Sequence, residues 1–311
     1  MEVVEIRGGL ENAGPSVVTV GVFDGVHIGH QSIMRRTVNE ARERHLRSVA
    51  ITFDRNPEEV IRPSRHLACI TTLSQKLRLI DLQQIDLALV LPLSRQVLEM
   101  SAEEFVTEIL HGKLGAAMVV MGSDFALGKD RRGDAGFLRA MGADLGFQVE
   151  IVPPVLLGNG VVSSTAIRAA VAAGDLDRAN AMLGHPFALQ GLVVAGDGVG
   201  REIGFPTANI KPAECQVLPL GGVYSVCVEI AGETWLGVAN IGTRPTLGGN
   251  RVSIEVFVID FKGDLYGQEL EVVFQHRLRD EVRFASLDEL KSQIARDVEK
   301  ARASGGCSVL P

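Results

Sequence analysis

Two histidines, His27 and His30, stand three residues apart in the run Gly21-Val22-Phe23-Asp24-Gly25-Val26-His27-Ile28-Gly29-His30, between an apolar stretch and a helical pattern. A strand, a glycine turn and a helix in that order present a helix N-terminus, whose unpaired N–H groups and positive dipole end favour phosphate. The histidines add hydrogen-bond donors where charge develops on a departing pyrophosphate. Gly21, Gly25 and Gly29 allow close approach of backbone to a nucleotide. A lone H-x-x-H pair would say little. Its place in a strand–turn–helix gives it weight.

A second run reads Gly196-Asp197-Gly198-Val199-Gly200-Arg201-Glu202-Ile203-Gly204-Phe205-Pro206-Thr207-Ala208-Asn209. It is not a Walker A loop, because no Gly-Lys-Ser/Thr follows at the required spacing. It is not a Rossmann fingerprint either, since the glycines are spaced wrongly and no βαβ unit surrounds them. The glycines suit a mobile flap over phosphates, and Thr207 and Asn209 supply oxygens for Mg²⁺, a hard cation that prefers them. Glu255 lies in an alternating strand pattern, where a carboxylate can take the proton of an attacking hydroxyl. Position alone favours an exposed strand glutamate in a salt bridge. In Ser163-Ser164-Thr165-Ala166-Ile167-Arg168 the hydroxyls of Ser164 and Thr165 suit phosphate, as does an arginine that forks onto phosphate oxygens. Without context the same residues read as an N-cap and a surface arginine. Arg244 reads equally as a phosphate ligand or a turn anchor.

The elements that must carry these groups fall into two textures. Val17 to Gly21, Ser48 to Phe53, Asp86 to Leu91, Ala117 to Met121 and Gln148 to Val152 read as buried strands. Helical periodicity lies between them: Ile33, Met34, Thr37, Val38 and Ala41 share one face, and Ser101 with Glu104 forms a capping box. This alternation predicts a parallel sheet with helices on both faces. From about residue 185 short β-rich runs follow one another: Phe187 to Val194, Val223 to Ile230, Thr234 to Ile241, Val252 to Ile259 and Gln268 to Arg277. Turns bearing Gly, Pro and Asn separate them, as in a small antiparallel barrel. Glu255 and Val256 are expected on opposite faces of their strand. A last helix starts near Ser286, again with a Ser-x-x-Glu box. The domains expected are 1–184 and 185–311, joined at Gly184-His185-Pro186.

Composition narrows the function classes. The chain has 311 residues, is 46% hydrophobic and 22% charged, and carries a formal charge of −7, which argues against wholesale nucleic-acid binding. No run approaches the ~18 apolar residues of a membrane span, and the N-terminus lacks the regions of a signal peptide. Cys69, Cys215, Cys227 and Cys307 show no metal-ligand spacing. They read as unpaired thiols in a reducing cytoplasm. Cys307 is one residue too far from the end for a prenylation motif. Oligomeric state stays open, a homo-oligomer included.

The form G-x-F-D-G-x-H-x-G-H resembles the adenylylating module of prokaryotic bifunctional riboflavin kinase/FAD synthetases. Ile70-Thr71-Thr72-Leu73, Gly122-Ser123-Asp124-Phe125 and the Ser163–Arg168 segment extend that resemblance. G-R-x-x-G-F-P-T-A-N is similar to the riboflavin kinase signature. Gly222-Val223-Tyr224, Asn240-Ile241-Gly242-Thr243-Arg244-Pro245-Thr246, Leu265-Tyr266-Gly267 and Arg277-Leu278-Arg279 agree with it, so the resemblance covers nearly the whole chain. It implies an α/β nucleotidyltransferase domain followed by a β-barrel kinase domain, with riboflavin, FMN and ATP as substrates and Mg²⁺ in both reactions. In the adenylyltransferase it implies His27 and His30 as catalytic groups. Gly21, Phe23, Asp24, Gly25, Gly29, Ser163, Ser164, Thr165 and Arg168 would bind ATP, and Asn56, Asp124 and Phe125 the flavin. In the kinase it implies Glu255 as the base and Thr207 and Asn209 as metal ligands. Gly196, Gly200, Arg201, Gly204, Phe205, Pro206, Asn240 and Arg244 would contact ATP or flavin.

Two positions depart from the family pattern. Arg55 stands where a turn-fixing proline is usual, in Phe53-Asp54-Arg55-Asn56-Pro57, and Leu127 precedes Gly128 where Phe is commoner. His27-Ile28-Gly29-His30 is also similar to class I aminoacyl-tRNA synthetases, but a K-M-S-K-S-like lysine loop is missing and the chain is short and acidic. A chain with one degenerate half, and a flavin-sensing binder, are the remaining rivals. Intact motifs in both halves weigh against them.

Overall fold

The structure is a computed structural model. It describes residues 1–5, 14–57, 59, 68–196, 198–246, 249–305 and 307, with backbone alone at 199, 244–246 and 249–251. The chain divides into two compact units: Met1–Leu67 with Leu73–Ser163, and Ala68–Thr72 with Ser164–Pro311.

The first unit is built on β1 (Glu2–Glu5), β2 (Ser16–Val20), β3 (Arg47–Phe53), β4 (Leu87–Leu91), β5 (Ala116–Gly122) and β6 (Gln148–Val152). They form one sheet in the order β1-β4-β3-β2-β5-β6, with every pairing parallel. The intervening helices are α1 (Ile28–Glu43), α2 (Leu73–Asp81), α3 (Arg95–Glu99), α4 (Ala102–Glu104, continued as π-helical turns over Phe105–Lys113) and α5 (Ala135–Leu145). The expected capping box opens α4: Ser101 accepts from Glu104 N, and Glu104 accepts from Ser101 N. Strands buried on both faces explain the continuous apolar runs. Val18, Val20, Val49 and Ile51 pack with Phe105, Val106 and Leu110 on one face. Val17, Met118 and Val120 pack with Ala41 of α1 on the other. The chain runs from β2 outward to β3 and β4, then returns to β5 on the other side. The crevice where strand order reverses is the usual ligand site of an open α/β sheet. The His27–His30 turn and Gly122-Ser123-Asp124-Phe125 follow the two strands that flank it.

The second unit holds a closed antiparallel barrel in the order β10-β13-β12-β11-β14-β9. Its strands are β9 (Phe187–Val194), β10 (Ala208–Pro212), β11 (Gly222–Ile230), β12 (Glu233–Thr246), β13 (Gly249–Val258) and β14 (Glu269–Arg279). The short hairpin strands Leu156–Leu157 (β7) and Gly160–Val161 (β8) belong to the first unit. Helices α6 (Ser164–Ala172), α7 (Leu176–Leu183), the single turn α8 (Val199–Glu202) and the terminal α9 (Leu287–Ala303) complete the unit. Ser286 caps α9 by accepting from Glu289 N, as its sequence suggests.

Packing divides the chain between Ser163 and Ser164, upstream of the junction expected at Gly184. The reason lies in α7, which buries Leu176, Ala179, Met182 and Leu183. Its Asn180 side chain accepts from Phe187 N at 2.7 Å and donates to Phe274 O at 3.4 Å, tying the helix to β9 and β14.

The expectation of four unpaired thiols is corrected. Cys69 is bonded to Cys215 and Cys227 to Cys307, with Cα atoms 5.2 and 5.6 Å apart. The partners are 146 and 80 residues apart in sequence, so no local spacing betrays the pairing. Cys69 also bridges strand-like to Gln216, and its carbonyl accepts from Val217 N at 2.8 Å. That attaches the short segment 68–72 to the barrel unit.

Candidate active sites

The first site is the turn between β2 and α1. His27 has extended backbone and is the N-cap of α1; its Nδ1 accepts from His30 N at 3.3 Å. An accepting Nδ1 leaves Nε2 as the nitrogen that carries the proton in neutral His27. The rings of His27 and His30 are stacked, centroids 3.6 Å apart and 19° between planes. The edge of Phe23 meets His30 at 5.3 Å. His30 Nδ1 has no hydrogen-bond partner among the described residues. Burial, then the neighbouring His27, then the Lys76 ammonium push the His30 pKa well below its ordinary 6.5. Near neutral pH His30 is therefore an uncharged imidazole, with a tautomer free to suit a ligand.

The glycines of the turn serve its own rings as well. A Cβ on Gly21 would stand 2.6 Å from the Phe23 ring, and one on Gly29 would stand 3.0 Å from the His27 ring. Gly25 has φ 79, which favours glycine, but Phe23 (φ 51) and Val26 (φ 37) also take positive φ. For a β-branched residue this is a strained conformation. Asp24, within the turn, is buried.

Around the turn, Asn56 follows β3 and is half-buried, whereas Asp124 is exposed and Phe125 half-buried after β5. Leu127 is a core residue: it is buried, and its amide and carbonyl both pair with Gly133. The Leu-for-Phe departure therefore falls on packing of the first unit. Arg55 is exposed, 3.9 Å from Asp54. Ser163 ends the first unit. Ser164, Thr165 and Arg168 open α6 in the second unit, with Thr165 exposed and Arg168 half-buried.

The second site is on the outside of the barrel. Ile254, Val256 and Val258 are buried, while Ser253, Glu255 and Phe257 alternate with them on the other face. Register places Glu255 of β13 opposite Asn209 of β10 on one side and Asn240 of β12 on the other. Cross-strand partners share a face, so two amides flank the carboxylate in one row. The glycine run lies directly on this row. A Cβ on Gly196 would be 2.1 Å from the Asn209 amide, and one on Gly200 would be 2.4 Å from Phe205 O and 3.2 Å from Thr207 Oγ1. Gly204 has φ 88. Phe205 closes the flap onto Phe257, ring edge to ring face at 5.2 Å. Both belong to a small apolar cluster with Val223, Val238, Val298 and Ala301 beneath α9. Arg201 and Pro206 are exposed on the flap. Arg244 is on β12, opposite Arg251, and its side chain lies outside the described residues.

The donors present fit Mg²⁺. Thr207 and Asn209 offer neutral oxygens next to a carboxylate, in a cradle too tight for a Cβ on the covering flap. Mg²⁺ bound with a nucleotide needs few protein ligands, because phosphates and water fill the rest. Among the described residues no group of three or more His, Cys, Asp or Glu forms a metal cluster.

One residue of the first site escaped the sequence reading. Lys76 is buried on α2 and donates from Nζ to Val22 O at 3.2 Å and to Phe53 O at 2.6 Å. Its signal was a lysine on the apolar stripe of a helix, in line with the buried Leu79 and Ile80.

Comparison with known proteins matches both halves of the chain to families. A family described as FAD synthetase covers residues 10–166, and one described as riboflavin kinase covers residues 183–304. The bifunctional riboflavin kinase/FMN adenylyltransferase of Escherichia coli strain K12 is 42% identical over 287 residues, 92% of this chain and 91% of that protein. The protein of the same name from Pseudomonas fluorescens is 43% identical over 305 residues, covering 96% and 97%. A crystal structure from Streptococcus pneumoniae, named as a macrolide-efflux protein, superposes with a TM-score of 0.87 at 32% identity, covering 97% and 99% of the two chains. No helix among the described residues is long and apolar enough to cross a membrane. The chain belongs to the bifunctional riboflavin kinase/FMN adenylyltransferase family and is a two-domain enzyme of flavin-cofactor synthesis.

Proposed function

We propose that the two reactions are run by the two sites described above, each with its own residues. In the barrel site Glu255 accepts the proton of the riboflavin 5′-hydroxyl as that oxygen attacks the γ-phosphorus of ATP, giving FMN and ADP. Asn209 and Asn240 orient the carboxylate from either side. The flap from Gly196 to Pro206, with Arg201, covers the phosphates and excludes water. Mg²⁺, held by Thr207 and Asn209, would neutralise phosphate charge; positioning supplies most of the remaining catalysis in phosphoryl transfer.

In the sheet site an FMN phosphate oxygen attacks the α-phosphorus of ATP and pyrophosphate leaves, with no protein nucleophile. His27 donates from Nε2, and His30 supplies a second imidazole beside it, where charge grows on the leaving group. Backbone N–H groups at the start of α1 receive phosphate oxygens. Ser163, Ser164, Thr165 and Arg168 are assigned to the triphosphate, and Asn56, Asp124 and Phe125 to the flavin. The functional modules are taken as residues 1–184 and 185–311, whereas packing divides the chain after Ser163.

The observation that carries this reading is that the stacked histidine pair and the Asn209–Glu255–Asn240 row occupy different compact units. ATP as co-substrate supports the cytoplasm as the working compartment. The two cysteine bridges run against it, since reducing compartments keep thiols unpaired, and thiol titration in freshly lysed cells decides between them. The enzyme test is direct: incubate the protein with riboflavin, ATP and Mg²⁺, then separate riboflavin, FMN and FAD by chromatography. FMN followed by FAD is expected, and either product missing overturns the assignment of its site.

A further inference from the structure

Lys76 is 5% exposed, and a buried ammonium is costly unless it is hydrogen-bonded and compensated. Its hydrogen bonds go to two main-chain carbonyls, Val22 O and Phe53 O. These sit at the C-terminal ends of the adjacent strands β2 and β3. Asp24, Asp54 and Glu59 supply the nearby negative charge, and desolvation outweighs them, bringing the amine down to about 8. The same ammonium helps to depress the His30 pKa, after burial and His27.

The Val22 carbonyl is where the strained turn begins. Phe23, next in the chain, has φ 51 and Val26 has φ 37. Such conformations cost about 1–3 kcal/mol each and persist only where the surroundings over-determine them. Here the surroundings are specific. Val22 O receives Thr52 Oγ1 at 3.1 Å as well as Lys76. At the far end Gln31 Nε2 donates to Val26 O at 2.9 Å. Between these anchors the chain must deliver His27 to the N-cap and His30 beneath it. Lys76 shares the Val22 carbonyl with Thr52 of the neighbouring strand, ties it to the Phe53 carbonyl, and places a positive charge near His30.

We propose that Lys76 is a positioning residue for FMN adenylylation, clamping the Val22 and Phe53 carbonyls so that the strained turn presents His27 and His30 to the phosphates. The proposal rests on the reading of that turn as the adenylylation site. The test compares full-length wild type, Lys76→Met and His30→Ala, with Lys76→Gln, which keeps an N–H donor, as a milder variant should Lys76→Met not fold. Each is assayed for FAD formation from FMN and, in the same preparation, for FMN formation from riboflavin. Misplacement of a catalytic group typically costs about 10²-fold, and Lys76→Met is expected to lose that much in adenylylation kcat while the kinase step stays within about twofold. KM for ATP should move by less than about threefold, because the lost interaction acts in the transition state. The His30 imidazole, followed by NMR, should titrate at higher pH in the variant, because a neighbouring positive charge is gone. Adenylylation kcat within about threefold of wild type would overturn the proposal, as would an equal fall in both reactions, which marks a purely structural lysine. If His30→Ala is itself fully active, the site reading fails rather than the role of Lys76 within it.

Discussion

His27 and His30 lie ring on ring with centroids 3.6 Å apart, and the Nδ1 of the first accepts from the main-chain N–H of the second. That single hydrogen bond caps α1, fixes the His27 tautomer and aims two imidazoles from one helix terminus. The proposed role of the turn is thus that of a donor array formed before a nucleotide binds.

His30→Ala should therefore reduce FAD formation from FMN by about 10²–10³-fold, the usual cost of losing one donor to developing charge. Riboflavin phosphorylation should be unaffected, because Glu255 and its flap lie in the other unit. Undiminished FAD synthesis by the folded variant would remove His30 from the mechanism.

Lys76 makes a pH-dependent contribution whose sign is set by its depressed pKa. In the folded chain the amine titrates near about 8, in the unfolded chain near 10.5. Between those values the unfolded state binds more protons, so stability rises with pH. Urea unfolding of wild type should gain on Lys76→Met as pH rises from about 8 to 10.5. His30, also depressed, works in the acid range: its contribution is intact above 6.5 and falls away as pH drops below that value. Parallel stability curves for wild type and Lys76→Met over the alkaline window would show that the amine is not desolvated.

A fragment starting at Ser164 should be more stable than one starting at His185. Both retain the barrel and should phosphorylate riboflavin without making FAD, but only the longer keeps α7 and its Asn180 bonds to Phe187 and Phe274. Thermal unfolding followed by circular dichroism measures the difference. Equal melting temperatures would detach α7 from the barrel.

Under denaturing, non-reducing conditions thiol titration should find no free cysteine, since Cys69–Cys215 and Cys227–Cys307 account for all four. Disulfides typically contribute about 2–4 kcal/mol, so reduction should lower the melting temperature. Four reactive thiols in native protein would restore the reading the sequence suggested.

Much of this was legible in the residues. The β–α alternation, the barrel texture, the Ser101 box and the separation of Glu255 from Val256 follow from periods of 3.6 and 2. β1 was not, being four residues at the edge of the sheet, nor β10, hidden inside the glycine signature. Asn209, Asn240 and Glu255 could each be picked out, but their alignment depends on barrel register, a long-range property no local pattern carries. The positive φ of Phe23 and Val26 leaves no trace in residue types that ordinarily avoid it. Lys76 did leave one, a cation on an apolar stripe.

The central claim is that two independent sites divide the work, and Glu255→Gln tests it most directly. Gln keeps the shape and the place between Asn209 and Asn240 but cannot take a proton, and loss of a general base costs about 10²–10⁴-fold. At saturating Mg²⁺ATP the variant should form almost no FMN from riboflavin, yet make FAD from supplied FMN at the wild-type rate. A kinase step within about threefold of wild type would show that Glu255 is not the base, and equal damage to both steps would contradict the separation of the sites.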